Sequence, residues 1–419
     1  MGVFKVKGGK KLSGSLTIQG AKNSALPILA ATLLIKDKSV LHNCPDLTDV
    51  SAALKILVML GCVCVRDDNT VIVDARDAAN FEISKELMRE MRSSVVFLGA
   101  MISRMGRAVI TNPGGCELGP RPIDLHISSL KQLGVLVEEA DDKIICTAPK
   151  GIIGSEIRLD FPSVGATENI IIAACISKGT TVIKNAAKEP EISDLADFLN
   201  RAGGKVKGAG SSVVTIEGVN RLYSTEHRVL PDRIVAATYL CAAALTGGEI
   251  RLKDCNAVNM MSLLDFFTQI GCMVKSNGKE ICIRGKEIYR PTKQIITDVY
   301  PAFPTDAGPI VVPLFSKIGG VQSIKETIFQ NRFRYISELN KFGANMRLEG
   351  DTAVSFGAVK LKATEVKCTD LRGGAALVLA ALCCEGESII NDIHHIERGY
   401  CNMHKCLNAI GGNATISEV

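Results

Sequence analysis

Two kinds of apolar segment alternate along the chain. The first kind is apolar on almost every side, which is typical of buried helices. It occurs six times, at residues 23–34, 94–103, 167–176, 234–245, 306–315 and 372–382. The second kind is amphipathic and ends in a glycine, which is typical of a helix with a left-handed C-terminal residue. Its six glycines lie about 70 residues apart, at Gly61, Gly134, Gly203, Gly271, Gly343 and Gly411.

Short strand-like stretches stand between the two kinds of helix. They alternate apolar and polar residues and lie at 39–41, 181–183, 249–251, 321–323 and 388–390. The repeated pattern is therefore a strand, a buried helix, a strand, an amphipathic helix and two further strands. Six copies of this pattern fill the chain, so we predict an α/β fold built from a sixfold internal repeat.

The two ends of the chain indicate how the six copies are divided. The last copy has too few residues after Gly411 to form its closing strands, whereas residues 4–7 form an additional strand-like stretch at the start. We expect this stretch to complete the last copy. The sequence then predicts two domains of three copies each, one at 22–229 and the other at 1–21 together with 230–419, with buried helices at the centre of each.

Composition restricts the class of protein. The chain has 419 residues, 47% of them hydrophobic, and a net charge of +5. Apolar runs fall short of the roughly 20 residues that a membrane span needs, and no signal peptide opens the chain. We therefore expect a cytoplasmic protein. Basic runs are short, which argues against nucleic-acid binding. Fifteen cysteines without a C-x-x-C pair indicate reduced core thiols rather than disulfides or a metal site.

The starts of the predicted buried helices carry unusual cations. Lys22, Arg92, Arg233 and Arg372 stand at four of the six starts. A cation there opposes the helix dipole at a cost of about 0.3 to 1 kcal/mol. A bound phosphate or carboxylate would offset that cost. The alternative is that each cation pairs with a nearby aspartate, as Arg233 could with Asp232.

The second copy contains an additional loop at residues 112–122, which is rich in glycine and proline. Insertions in loops often carry function. Arg121 lies close to Cys116 in the sequence, and a neighbouring cation favours the reactive thiolate. The alternative is an ordinary loop cysteine with no role in chemistry.

Several separated motifs carry a resemblance to a known family. They stand in the family's order at residues 20–27, 113–116, 121–126, 163–167 and 397–400. The chain resembles the UDP-N-acetylglucosamine 1-carboxyvinyltransferases over essentially its whole length. The resemblance implies the enolpyruvyl transferase fold, an inside-out α/β barrel in each of two domains, with the active site in the cleft between them. It also implies transfer of the enolpyruvyl group of phosphoenolpyruvate to the 3′-hydroxyl of UDP-N-acetylglucosamine, at the start of peptidoglycan synthesis.

The resemblance also implies the roles of individual residues. Cys116 matches the loop cysteine that protonates phosphoenolpyruvate, and Asp306 matches the group at the sugar hydroxyl. The expected catalytic residues are Cys116, Asp306, Lys22 and Arg398. The expected substrate-binding residues are Lys22, Asn23, Arg92, Arg121, Pro122, Ile123, Asp124, Leu125, Phe161, Ser163, Val164, Gly165, Asp306, Ile328, Arg332, Arg372 and Arg398.

The expected ligands are the two substrates, and the chemistry requires no metal and no organic cofactor. A nucleic acid, a membrane and an obligate protein partner are not expected. Protonation of one enol carbon while a hydroxyl adds to its neighbour requires an acid and a base. Two anionic groups in one site require several cations, and Lys22, Arg121, Arg372 and Arg398 supply four.

Two departures from the family pattern keep other functions open. Ala307-Gly308-Pro309 follows Asp306 where the family commonly has a glutamine-containing segment, and Val235 stands where an acidic residue is usual. One alternative is a nucleotide-sugar-binding paralogue with little catalysis. Another is the sister enolpyruvyl transferase that acts on shikimate 3-phosphate, although its glycine pattern is missing here.

We predict that Cys116 is alkylated before the other fourteen cysteines, because loop position and a nearby cation both favour its thiolate. Fosfomycin, an epoxide that resembles phosphoenolpyruvate, should attach there and stop turnover. Cys116→Asp keeps an acid without the soft nucleophile, so this variant should remain active and become resistant. Peptide mapping after limited alkylation checks the assignment, and a first adduct on another cysteine would contradict it.

Overall fold

The computed structural model describes residues 2–111 and 123–418. Among them, two compact domains are present. Domain I comprises residues 20–230, and domain II comprises residues 1–19 together with 231–419, in so far as each is described. No helix in the described ranges is long and apolar enough to cross a membrane.

Both domains contain many short strands. In domain I they are β3 (Lys38–His42), β4 (Val63–Asp67), β5 (Thr70–Asp74), β6 (Arg107–Thr111), β7 (Leu136–Ala140), β8 (Lys143–Thr147), β9 (Glu156–Arg158), β10 (Thr180–Lys184), β11 (Lys205–Lys207), β12 (Val213–Glu217) and β13 (Thr225–Arg228). In domain II they are β1 (Gly2–Lys7), β2 (Ser13–Thr17), β14 (Glu249–Lys253), β15 (Met273–Ser276), β16 (Glu280–Arg284), β17 (Ile295–Ile296), β18 (Val321–Lys325), β19 (Met346–Glu349), β20 (Thr352–Phe356), β21 (Glu365–Lys367), β22 (Glu387–Asn391) and β23 (Ala414–Glu418).

Helices connect these strands. Domain I contains α1 (Lys22–Thr32), α2 (Thr48–Met59), α3 (Lys85–Glu90), α4 (Phe97–Met105), α5 (Asp124–Gln132), α6 (Val164–Ala174) and α7 (Pro190–Arg201). Domain II contains α8 (Arg233–Thr246), α9 (Met261–Ile270), α10 (Gly308–Val311), α11 (Ile336–Lys341), α12 (Leu371–Leu382), α13 (His394–Glu397) and α14 (Met403–Ala409). Three 3₁₀ helices span Arg92–Val96, Ala257–Met260 and Val312–Lys317.

The sheets confirm the predicted α/β repeat. Five four-stranded sheets share one arrangement, in which the first pair of strands is parallel and the next two pairs are antiparallel. The strand orders are β13-β3-β5-β4, β9-β10-β12-β11, β2-β14-β16-β15, β17-β18-β20-β19 and β21-β22-β1-β23. The sixth sheet, β6-β8-β7, has three strands, and a single parallel bridge between Glu82 and Val109 stands where its first strand would lie.

The start of the chain completes the last sheet of domain II, as the sequence predicted. Strand β1 lies between β22 and β23, with Phe4 opposite Ile390 and Val6 opposite Ala414. Strand β2 pairs in parallel with β14. Domain I closes in a similar way, because β13 near its end pairs in parallel with β3 near its beginning.

The apolar helices form the centre of each domain. In domain I, α4 packs against α1 and α6, and in domain II, α8, α10 and α12 pack against one another. Nearly every residue of α8 and α12 is buried. The six glycines after the amphipathic helices all have positive φ, between 87° and 102°. L-amino acids rarely adopt this conformation, so glycine is required there.

The fifth apolar helix differs from the regular helix expected over 306–315. The α-helix begins only at Gly308, and it changes to a 3₁₀ helix at Val312. Pro309 stands early enough to be tolerated, but Pro313 has no N–H to donate to the carbonyl four residues before it. The α-helical ladder is therefore interrupted, and Asp306 lies ahead of a helix of four residues.

We predict that Phe4→Ala destabilises the protein by about 3 to 5 kcal/mol, the usual cost of removing a buried phenylalanine ring. Phe4 is 1% exposed and belongs to the strand that links β22 to β23. Lys7→Ala on the same strand removes an exposed side chain and serves as the control. Urea unfolding measures both variants, and equal midpoints would show that β1 is not part of the core.

Candidate active site

The predicted site residues fall into both domains. Domain I carries Lys22, Asn23, Arg92, Ile123, Asp124, Leu125, Phe161, Ser163, Val164 and Gly165, and domain II carries Asp306, Ile328, Arg332, Arg372 and Arg398. Cys116, Arg121 and Pro122 lie outside the described residues. Arg92 begins a 3₁₀ helix.

Lys22 is the first residue of α1 and has a carboxylate close by. Its Nζ lies 3.1 Å from Oδ2 of Asp49, and the two side chains are 11% and 3% exposed. Helix α1 has no side chain that caps its N-terminus. The ion pair offsets the unfavourable cation at this helix start, so Lys22 by itself does not require a bound anion.

A second carboxylate, Asp194 on α7, fixes the start of α1. It accepts hydrogen bonds from the hydroxyl of Ser24, from the backbone N–H of Leu230 at 3.1 Å, and from Nε2 of His227 at 3.0 Å. Charge-assisted bonds of this kind are among the stronger ones in proteins. Lys22 and Asn23 therefore stand on a helical turn that is held in place from its side.

The two segments expected around the nucleotide sugar meet through His126. Helix α5, which begins at Asp124, packs against α6, and Ser163 caps α6 by accepting from the backbone N–H of Ala166 at 3.3 Å. A Cβ on Gly165 would lie only 2.9 Å from Cε1 of His126. The structure thus brings 123–125 and 163–165 together, while Phe161 is 44% exposed.

Asn169 determines the tautomer of His126. The side-chain oxygen of Asn169 accepts from the N–H of Gly99 at 2.8 Å, and its Nδ2 donates to the carbonyl of Val95 at 2.9 Å. Nδ2 also lies 2.7 Å from Nδ1 of His126. An amide nitrogen only donates, so Nδ1 accepts and the ring proton is on Nε2. Burial lowers the pKa of His126 to about 4.

In domain II, Asp306 lies between two buried arginines. Nη2 of Arg332 is paired with Oδ1, and Nη2 of Arg372 lies 3.1 Å from Oδ2. The arginine side chains are 2% and 3% exposed, whereas that of Asp306 is 28% exposed. A helix dipole contributes little to this carboxylate, because α10 has only four residues and starts after it. The two guanidinium groups orient it instead.

Glu326 supports the same region, although the sequence analysis did not identify it. Its Oε2 accepts from the hydroxyl of Thr305 at 2.9 Å, and its Oε1 accepts from the backbone N–H groups of Ile328 at 2.8 Å and Phe329 at 3.1 Å. Arg332 Nε donates to the carbonyl of Thr305 at 3.1 Å. This network fixes the backbone on both sides of Asp306 and at Ile328.

Arg372 has a donor that the surrounding protein leaves unused. Asp370 caps α12 and accepts from the backbone N–H of Arg372 at 3.0 Å, which fixes the base of the side chain. Nη1 donates to the hydroxyl of Tyr400 at 3.3 Å. Nε is buried and has no partner among residues 2–111 and 123–418. A buried N–H without an acceptor is costly, so Arg372 is suited to bind an anion.

The charge of Arg372 is held by its neighbours. Burial alone would lower the pKa of Arg372, but Asp306, Tyr400 and Asp232 raise it, and the net effect is an increase. The guanidinium therefore stays charged. Arg398, two residues before Tyr400, follows α13 and is partly buried.

The described cysteines have no disulfide partner, and burial makes most of them poor nucleophiles. Burial raises the pKa of Cys44, Cys62, Cys64, Cys146, Cys175, Cys241, Cys255, Cys272, Cys368, Cys383 and Cys384. Within the described ranges, no group of three or more histidine, cysteine or carboxylate side chains has the geometry to hold a metal ion.

The sequence matches the family model described as EPSP synthase (3-phosphoshikimate 1-carboxyvinyltransferase) over residues 6–407. It is 46% identical to UDP-N-acetylglucosamine 1-carboxyvinyltransferase 2 of Caldanaerobacter subterraneus, over 99% of each chain. It is 44% identical to UDP-N-acetylglucosamine 1-carboxyvinyltransferase of Finegoldia magna, over 100% of each chain.

Two solved structures share the fold. The enolpyruvyl transferase NikO from Streptomyces tendae superposes with a TM-score of 0.90 at 22% identity, covering 99% of each chain. EPSP synthase from Acinetobacter baumannii superposes with a TM-score of 0.76 at 16% identity, covering 100% of each chain. At these identities the similarity establishes the architecture alone.

We predict that His126 makes the protein less stable in mild acid. The folded state disfavours the protonated ring. The contribution of the neutral His126 ring to the free energy of unfolding is therefore complete above pH 6.5 and is lost as the pH falls towards about 4. The glutamine of His126→Gln cannot take up this proton. Between pH 7 and pH 5, the free energy of unfolding of this variant should therefore fall by about 2 kcal/mol less than that of the wild type. Chemical unfolding at the two pH values measures this difference.

The control for this measurement is His394→Gln, which removes an exposed histidine and should keep the wild-type difference. If His126→Gln also lost as much stability as the wild type, the ring would not be buried in its neutral form.

Proposed function

Because this chain belongs to the enolpyruvyl transferases and, among them, to the UDP-N-acetylglucosamine 1-carboxyvinyltransferases, we propose that it transfers the enolpyruvyl group of phosphoenolpyruvate to the 3′-hydroxyl of UDP-N-acetylglucosamine and releases phosphate. The proposal is carried by sequence identities of 44% and 46%, over essentially the full length, to proteins of that name. The arrangement of Asp306 with its two arginines supports it independently.

The bond changes balance without any further reactant. The sugar oxygen bonds to C2 of phosphoenolpyruvate and loses its proton to a base, while an acid protonates C3. Loss of a proton from C3 then re-forms the double bond as the bond from C2 to the phosphate oxygen breaks. The products are the enolpyruvyl ether and inorganic phosphate, and the reaction demands neither a metal nor an organic cofactor.

Asp306 is the group in domain II that suits the role of the base. Each of its oxygens faces one guanidinium group, which fixes the plane of the carboxylate, and its partial exposure leaves it accessible to a substrate. Arg372, whose Nε has no hydrogen-bond partner in the part of the chain that the structure describes, suits the anionic groups of phosphoenolpyruvate. Preorganised donors of this kind stabilise charge that develops during the reaction.

The remaining roles rest on the resemblance of the sequence to the family. We propose that Cys116 donates the proton to C3, and that Lys22, Arg121 and Arg398 contribute further positive charge. The segments 121–125 and 161–165 would contact the nucleotide sugar. The proposed reaction therefore uses residues of both domains.

The two alternative functions have less support. The relatives at 46% and 44% identity are named UDP-N-acetylglucosamine 1-carboxyvinyltransferases, so a shikimate 3-phosphate activity is not favoured. Two residues that depart from the family pattern, Pro309 and Val235, stand in the first turns of their helices. Val235 donates its backbone N–H to Oδ1 of Asp232 at 3.0 Å. The phosphate-release assay below tests the other alternative, a nucleotide-sugar-binding paralogue with little catalysis.

We predict that the purified protein releases phosphate only when both phosphoenolpyruvate and UDP-N-acetylglucosamine are present. Replacing the nucleotide sugar with shikimate 3-phosphate should abolish release. Asp306→Ala should lower turnover by about 10² to 10⁴, the scale of general acid–base groups. A coupled phosphate assay measures all three reactions, and no release by the wild type would overturn the proposed function.

Removing Asp306 also leaves two buried arginines without their carboxylate, which can destabilise the domain. Asp306→Asn, which keeps an acceptor oxygen, should fold well and remain slow, because an amide cannot serve as the base. Asp351→Ala, at an exposed carboxylate of domain II, should turn over normally. Binding of UDP-N-acetylglucosamine on the same preparations separates loss of chemistry from loss of affinity.

A further inference from the structure

Tyr400 lies at the centre of a hydrogen-bonded chain that ends at Asp306. Its side chain is buried, with 2% exposure. Its hydroxyl lies 2.9 Å from Oγ1 of Thr238 and 3.3 Å from Nη1 of Arg372. Arg372 Nη2 then reaches Oδ2 of Asp306. Tyr400 belongs to a motif that the sequence analysis noted, but the resemblance gave it no role.

The direction of each hydrogen bond in this chain follows from the supply of protons. Thr238 has one hydroxyl proton, which it donates to the carbonyl of Ile234 at 2.8 Å. Its oxygen must therefore accept from Tyr400, because Tyr400 has the other available hydroxyl proton. The lone pairs of the Tyr400 oxygen are then directed to Nη1 of Arg372. Thr238 thus determines that Tyr400 accepts from the arginine.

The backbone around Tyr400 is held by Gln19. The side-chain amide of Gln19 donates to the carbonyl of Gly399 at 3.2 Å and accepts from the N–H of Cys401 at 2.9 Å. These two bonds fix the backbone on both sides of Tyr400. The position of Gly399 is equally restricted, because a Cβ there would lie 2.9 Å from the side chain of Leu371.

We propose that Tyr400 is a positioning residue for the transfer reaction: its hydroxyl occupies Nη1 of Arg372, so that Nη2 meets Asp306 and Nε is left for the substrate. This inference rests on the proposed function. Without the hydroxyl, Nη1 would be a buried donor with no acceptor, which is costly. The nearest compensation is for the guanidinium to turn towards the carboxylate of Asp306. That movement would change the orientation of the base and withdraw Nε from the substrate.

The variant Tyr400→Phe tests this role, because it removes the hydroxyl and keeps the ring. Hydrogen bonds to charged groups contribute about 1.5 to 3 kcal/mol, so turnover should fall about 10-fold to 100-fold. The KM for UDP-N-acetylglucosamine should stay within about twofold of the wild type, because Tyr400→Phe leaves the segments proposed to contact the nucleotide sugar unchanged.

Tyr289→Phe is the matched control. Tyr289 is another buried tyrosine of domain II, and its hydroxyl donates to the carbonyl of Ala244 at 2.6 Å and accepts from the N–H of Lys286 at 2.8 Å. Removing the Tyr289 hydroxyl breaks these two hydrogen bonds, as removing the Tyr400 hydroxyl breaks two, but it leaves Arg372 unchanged. We expect Tyr289→Phe to lower the melting temperature and to keep wild-type turnover.

A pair of variants at Thr238 tests whether Tyr400 donates its hydroxyl proton to Thr238. Thr238→Val removes the acceptor for the Tyr400 proton and should lower turnover. Thr238→Ser keeps that acceptor and should retain the turnover of the wild type. Combining Thr238→Val with Tyr400→Phe should cost no more than Tyr400→Phe alone, because residues of one network are not additive. Full activity of Tyr400→Phe, or a loss matched by Tyr289→Phe, would overturn the proposal.

The proposed function and the role of Tyr400 are tested separately, because phosphate release by the wild type alone decides whether the proposed function holds. If the wild type releases no phosphate, crystal structures of the wild type and of Tyr400→Phe still test the role of Tyr400. Displacement of the Arg372 guanidinium towards Asp306 supports the proposal. A guanidinium that stays within about 0.5 Å of its original position, the tolerance of a preorganised site, overturns it.

Discussion

A helix that is apolar on every side cannot lie at a surface, and this constraint governs the architecture of each domain. Such a helix must be covered by other elements in all directions. In domain II, α8, α10 and α12 cover one another, and three sheets with their amphipathic helices surround them. Each sheet therefore needs all of its strands, and β1 and β2 complete two of them. The sixfold repeat is the sequence pattern that satisfies this requirement.

The central helices also hold the side chains of the candidate site in domain II. The first turn of each such helix has backbone N–H groups that need hydrogen-bond partners. Asp232 and Asp370 meet that need as side-chain caps of α8 and α12. Arg372 extends from the first turn of α12, so its position is fixed by the core. Side chains supported in this way keep the geometry that electrostatic stabilisation requires.

The sequence predicted features that depend on local pattern better than features that depend on orientation. The glycine caps and the strand supplied by residues 4–7 follow from periodicity, and both were confirmed. The prediction of a regular fifth helix was wrong, because Pro313 has no N–H to continue the α-helical ladder. Arg332 and Arg372 were named as candidates, but their joint contact with Asp306 depends on rotamers that no spacing reveals. Glu326, Asn169 and Tyr400 have roles that come from burial, which the sequence does not give residue by residue.

The position of β1 has a consequence for how the chain folds during synthesis. The described residues of domain I, 20–111 and 123–230, follow one another along the chain, whereas domain II combines residues near the start of the chain with residues near its end. Domain I can form as soon as it leaves the ribosome, since domains generally fold as units. Strand β1 must wait until β22 and β23 have been made, although it emerges first. Pairing over so long a separation is slow, and an apolar strand that waits unpaired is a site where chaperones can bind.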